Sequence, residues 1–185
     1  LALMGFPFLT GFYSKDVVLE IAYAKYSLHG TFAHWLGVLS AGITAFYSFR
    51  LIYLTFVSNP NGFKNAIQNA HDAPLPMAAP LFILCVGSVF VGYLTKDLFI
   101  GLGTPFWNNA IFTSSQNLTM VDAEFVPVYV KWLPVVVSLS GASLSMVAFH
   151  FLKDFLFSAC IQPIGRNLYT FLNRRWLFDR LQNDL

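Results

Sequence analysis

Charge is scarce in this chain. Charged residues make up 11% of its 185 amino acids, well below the share in soluble domains. A formal net charge of +2 is too small to suggest a nucleic-acid partner, and the basic residues cluster only near the C-terminus. Cysteine occurs twice, as Cys85 and Cys160. They lie far apart without CxxC or Cys/His spacing, which excludes a disulfide framework and a cysteine metal site; Cys85 is expected simply to pack. No nucleotide-binding glycine loop appears, since the lone GLG at Gly101 to Gly103 lacks strand-to-helix context. Catalytic-triad, iron–sulfur and haem signatures are absent too. The chain is expected to hold no cofactor or metal and to perform no redox step itself. No secretory leader is evident, and without an initiating Met at Leu1 the chain is expected to start inside a longer polypeptide or after processing.

What the chain has in abundance is apolar surface. Hydrophobic residues reach 56% and aromatic ones 17%, twenty of them Phe, and the mean hydropathy is +0.60. These values suit lipid as the solvent. A bilayer core of about 30 Å needs roughly 20 helical residues. Four stretches have that length: Leu1 to Leu28, Phe32 to Val57, Leu75 to Leu94 and Val126 to Leu152. The expected fold is therefore all-α, a polytopic membrane protein of about four transmembrane helices, the first of them broken. Gly37, Ser40, Gly42 and Thr44 in the second stretch would let neighbouring helices approach. A barrel is excluded because runs such as Pro80 to Val91 lack strict alternation.

The organisation reads as a helical bundle over residues 1–154 and an amphipathic segment over 155–185. Between the second and third spans, Asn59-Pro60-Asn61-Gly62 and His71-Asp72-Ala73-Pro74 mark a polar connection. Gly101 to Phe125 forms a longer link, with Trp107, Asn108 and Asn109 near its start. After Lys153, Phe157, Ile161, Ile164, Leu168, Phe171 and Leu172 make an apolar stripe suited to an interface. Lys64, Lys153, Arg166, Arg174, Arg175 and Arg180 fall on one side of the membrane. Lys25, Lys96 and Lys131 fall on the other, beside Asp97, Asp122 and Glu124. The positive-inside rule then puts the C-terminus inside, in cytoplasm or mitochondrial matrix, with the first segment running outward.

Three ionisable residues interrupt that first segment: Lys15, Asp16 and Glu20. A charge near mid-membrane costs roughly 2.5–3.5 kcal/mol even on the lenient insertion scale, so these residues are the leading candidate site. Gly5, Pro7 and Gly11 stand just upstream, where a helix can open and leave backbone groups free; such a break is tolerated only inside protein or beside water. A lysine's proton affinity responds strongly to burial and neighbouring charge, which suits it to carry protons. Asp16 and Glu20, one turn apart, require a cation or a proton between them. The competing reading ends a helix at Tyr13 and makes Ser14 to Asp16 a solvated surface turn. Arg50 is expected to snorkel rather than meet a buried carboxylate. His29 and His34 are expected to flank a short turn at the interface, Asp72 to cap a helix start beside His71, and His150 to be structural.

The motifs GFPFLTGFYSKDVVLE (5–20), AFYSFRLIYLTF (45–56), HDAP (71–74) and NRRWLFDRLQND (173–184) resemble the C-terminal half of the NADH-ubiquinone oxidoreductase chain 5 family, the antiporter-like, proton-pumping subunits of respiratory complex I. The resemblance covers essentially the whole chain and is nearest to mitochondrial forms from plants, algae or protists. It implies that Lys15 and Asp16 match the Lys–Asp pair on the family's second broken helix, on the path opening outward. Lys15 would be the terminal proton carrier and Asp16 its modulator, with Glu20 a secondary candidate. It implies a mitochondrial inner-membrane location (a bacterial plasma membrane being the alternative), a C-terminal segment on the matrix side, and partners in the rest of chain 5, the neighbouring antiporter-like subunit, other membrane-arm subunits and lipid. Flavin, iron–sulfur clusters and quinone would belong to other subunits. The upstream spans and the long lateral helix of the family have no counterpart here, so a split or trimmed subunit is expected. Two alternatives stay open: a multisubunit cation/proton antiporter subunit, and a purely structural membrane-arm module.

Overall fold

The computed structural model describes residues 1–108, 110, 114, 117–174, 176, 178 and 182. Asn109 of the long link and Arg175 and Arg180 of the charge count lie outside the described residues. Within them every regular element is helical: α1 Thr10–Ala24, α2 Leu28–Ile52, α3 Lys64–Gln68, α4 Leu75–Phe99, α5 Thr119–Asp122, α6 Val128–His150, α7 Lys153–Ile161 and α8 Pro163–Asn173. A π-helical turn, Tyr53–Val57, prolongs α2. Three helices are long and apolar enough to cross a membrane, Leu28–Val57, Leu75–Phe99 and Val128–His150. The chain is an all-α polytopic membrane protein.

The first segment departs from a simple span. Residues 2–5 and 7–8 form turns, and α1 has only 15 residues. At 1.5 Å per residue it is about 22 Å long, short of a bilayer core. Pro7 supplies no amide, and Gly5 (φ +78°) and Phe8 (φ +70°) hold the left-handed region, which ends any helix upstream of Leu9. Ser14, Lys15 and Asp16 lie within α1, so the alternative of a surface turn there is incorrect.

Residues 1–145 form one compact unit. α1 packs against both α2 and α4. Small residues set these contacts. A methyl group on Gly37 would overlap the Leu19 side chain, and one on Gly42 would lie 2.9 Å from Val137 Cγ1. A methyl on Gly141 would overlap the Gly42 carbonyl oxygen, so α2 and α6 meet backbone to backbone. Ser40 and Thr44, expected to share that role, instead return their hydroxyls to the carbonyls of Gly37 and Ser40, at 2.8 and 2.7 Å.

Within the packing of α4 on α1, one side chain adds hydrogen bonds. The Thr10 hydroxyl donates to the Gly87 carbonyl at 3.2 Å and accepts from the Gly92 amide at 3.0 Å. Thr10→Val keeps the shape and removes both bonds, so stability is expected to fall by about 1–2 kcal/mol. The check is the thermal midpoint of the detergent-solubilised assembly, with Thr10→Ser close to the parent. Two apolar clusters close the unit: Met4, Ala45 and Ala142 with Phe49, and Ala24, Ala123, Val126 and Val130 with Ile21 and Tyr23.

Several expectations need correction. α2 begins at Leu28 because Ser27 caps it, its side chain accepting from the Gly30 amide at 3.1 Å; a serine before an apolar run was the overlooked signal. His29 and His34 therefore lie inside α2 rather than flanking a turn. Asp72 caps nothing: Pro74 stands at the start of α4, with no side-chain hydrogen bond to its amides. Cys85 is exposed on α4 rather than packed. Arg50 lies exposed in the last turn of α2.

Residues 146–185 form the second compact unit. α7 and α8 pack on each other, separated at Gln162 because Pro163 cannot donate the amide that would join them. Ile164, Leu168 and Leu172 are exposed along α8, and α8 also carries Arg166.

Candidate functional site

Lys15, Asp16 and Glu20 all belong to α1, which packs against α2 and α4, and all three are half-buried. The turn-rich stretch before α1 folds back over it. The Gly5 amide bonds the Ala2 carbonyl at 3.1 Å and the Leu9 amide bonds Phe6 at 3.2 Å. This leaves the Met4 carbonyl free to accept from Lys15 Nζ at 3.1 Å. The ammonium group thus sits on unwound backbone, where an intact helix would have consumed that oxygen internally.

Two glycines allow this arrangement. Gly5 needs its positive φ, and a methyl group there would stand 3.2 Å from Lys15 Cδ. Gly11 lies directly under the turn, where a methyl group would collide with the Ala2 carbonyl oxygen.

Asp16 and Glu20 face elsewhere. With 100° per residue, consecutive positions on a helix diverge while positions four apart align. Asp16 and Glu20 accordingly line one cavity of about 590 Å³ with Pro7, Phe8, Phe12, Tyr13, Val17, Lys96, Lys131, Trp132, Val135 and Leu139. A second cavity of about 420 Å³ shares Val17, Glu20, Lys96 and Lys131 and adds Asp97, Glu124 and the start of the long link. Lys131 Nζ also donates to the Glu124 carbonyl at 3.0 Å.

The sequence singled out Lys15, Asp16 and Glu20. It placed Lys96 and Lys131 only as charges near helix ends. Their convergence on Glu20 was missed because α4 ends, and α6 begins, at the same level as the second half of α1, a register that only the packed helices define. A heptad or turn pattern within one helix carries no such signal.

His34 is a further buried polar group. It is 2% exposed, its Nδ1 lies 3.0 Å from the Leu19 carbonyl oxygen, and its ring meets Tyr23 edge-on at 5.2 Å. A carbonyl can only accept, so Nδ1 carries the proton. His34→Leu removes this tie between α2 and α1 and is expected to cost roughly 1 kcal/mol, read as a lowered thermal midpoint. Among the described residues no group of three or more His, Cys, Asp or Glu side chains is placed to hold a metal ion.

No family model matches the chain. Curated relatives do. NADH-ubiquinone oxidoreductase chain 5 of Phytophthora infestans is 51% identical across 98% of this chain. The proteins of the same description from Triticum aestivum and Marchantia polymorpha are 50% and 47% identical across all of it. The chain spans only 27–28% of the length of these relatives. Over its whole length, this chain is a homologue of one segment of NADH-ubiquinone oxidoreductase chain 5.

Proposed function

We propose that this chain forms the outward-opening half-channel of a proton-translocating membrane-arm subunit of respiratory complex I. The observation that carries this reading is the half-buried Lys15 ammonium on the Met4 carbonyl of an unwound turn, with Asp16 next to it on the wall of a cavity. An ammonium group within the membrane-spanning unit costs several kcal/mol unless it is paired or hydrated, and a broken helix start is the recurrent device for holding such a group. The cavity's 590 Å³ is many times the roughly 30 Å³ that one water occupies in the liquid, and four charged side chains on its wall give water its partners.

Lys15 takes a proton from the interior side and passes it to Asp16, whose carboxylate stands at the cavity. The energy comes from NADH:ubiquinone oxidoreduction in other subunits, which hold the flavin, iron–sulfur clusters and quinone. The partners are the remaining portion of chain 5, the neighbouring antiporter-like subunit, other membrane-arm subunits and membrane lipid. The setting is the mitochondrial inner membrane, with residues after α6 on the matrix side, as the lysine and arginine distribution suggests. The test is substitution of Lys15 in intact, assembled complex, followed by protons translocated per NADH oxidised in proteoliposomes. Unchanged pumping removes the proposal.

A further inference from the structure

The two cavities meet at one carboxylate. Glu20 lines both, and Lys96 from the end of α4 and Lys131 from the start of α6 line both with it. We infer that Lys96 and Lys131 form a cationic clamp around Glu20 that makes this carboxylate the last proton relay before the outer surface, with the two lysines as positioning residues. The inference rests on the proton-translocating reading and extends it to residues on two further helices.

The physical case begins with cost. A carboxylate held away from bulk water is tolerated when cations and hydrogen bonds compensate it. Here the side chains of Lys96 and Lys131 line the same two cavities as Glu20, from α4 and α6. Glu124 and Asp97 line the outer cavity, and Asp16 the inner one. These, with the two lysines, are the charged groups that share the cavity walls with Glu20. The order along the walls is Asp16, one helical turn to Glu20, then the outer cavity beside Gly101 and Leu102 of the long link.

The step moves one proton and no electrons. The Asp16 carboxyl releases its proton through cavity water, and the Glu20 carboxylate takes it up. Glu20 then gives the proton to water in the outer cavity, and its carboxylate re-forms between the two ammonium groups. Positive charge on the shared walls opposes a proton waiting at Glu20 and shortens its stay there.

A second reason to treat the lysines as built into the site is the anchoring of one of them. Lys131 Nζ donates to the Glu124 carbonyl at 3.0 Å, which holds its ammonium beside the cavity that both residues line. Glu124 belongs to the 3₁₀ turn Ala123–Phe125, whose Ala123 packs with Ala24, Val126 and Val130. That apolar contact sets the level at which α6 starts, and so the level of Lys131.

The experiment compares Lys96→Gln, Lys131→Gln, their double variant and the double Lys→Arg variant in intact complex reconstituted into proteoliposomes. The readout is protons translocated per NADH, normalised to assembled complex. The double Gln variant is expected to pump about tenfold less, the equivalent of one unit in proton affinity at the relay, and the double Arg variant to recover most of the loss. A purely structural pair would not give that pattern. If the Gln pair fails to assemble, Glu20→Gln, nearly isosteric, is expected to lower the ratio as far. Parental pumping in the double Gln variant, or in Glu20→Gln, overturns the clamp. Lys15→Met separates the two levels: when it abolishes pumping and the Gln variants do not, the clamp alone falls; when it pumps normally, the underlying reading falls.

Discussion

Lys15→Met in the assembled complex is expected to lower proton transfer through this half-channel by about a hundredfold or more, the scale on which a positioned proton-transfer group contributes. Met keeps the length and apolar contacts of the side chain, so helix α1 and its packing on Gly5 persist. What disappears is the group that binds and releases a proton, together with its bond to the Met4 carbonyl. Lys15→Arg makes the argument sharper. The guanidinium retains positive charge and can still donate to Met4, but it does not deprotonate under physiological conditions. It is expected to keep stability near the parent and to lose pumping almost as fully as Met. Proton-to-NADH stoichiometry, with thermal stability measured on the same preparation, checks both. An Arg variant that pumps normally would mean that Lys15 serves only as a fixed charge.

The second large effect is expected from Gly11→Val. Any Cβ at position 11 meets the Ala2 carbonyl oxygen, which belongs to backbone and cannot swing aside. The turn over residues 2–5 must then lift from α1, taking the Met4 carbonyl away from Lys15. Overpacking of this kind costs about 1–3 kcal/mol, and the loss of the Lys15 anchor is expected to lower pumping although every ionisable residue remains. Gly87→Ala is the matched control. The nearest atom to its added methyl group would be 3.8 Å away, in Val91 of the same helix, so stability is expected to stay within about 0.5 kcal/mol of the parent. If Gly11→Val pumps like the parent, the unwound turn has no part in holding Lys15.

Hydropathy alone made α2, α4 and α6 legible, because each presents a long apolar run whose solvent is lipid. The charged segment was legible as an anomaly, since Lys15, Asp16 and Glu20 violate that run and Gly5, Pro7 and Gly11 announce the place where it opens. Contacts between helices were not. Nothing within 28–52 distinguishes Gly37 and Gly42, which meet neighbours, from Ser40 and Thr44, which bond their own helix. His34 sat in an apolar stretch like any interfacial histidine; its burial follows from the side of α2 that α1 covers. Asp72 had the chemistry of a cap, yet the helix starts after Pro74 and leaves it outside. Lys96 and Lys131 are separated by 34 intervening residues, and only the parallel course of α1 and α4, with α6 returning, brings them to the cavities that Glu20 lines.

The approach of Gly141 to the Gly42 carbonyl fixes how this protein can change length. A residue inserted within α2 or α6 turns every following position by about 100°, replacing a hydrogen atom at the crossing with a side chain. An insertion is therefore expected to be tolerated in the connections 58–74 and 101–118 and not within α2 or α6. The crossing of α2 and α6 acts as a ruler against which the rest of the bundle is measured.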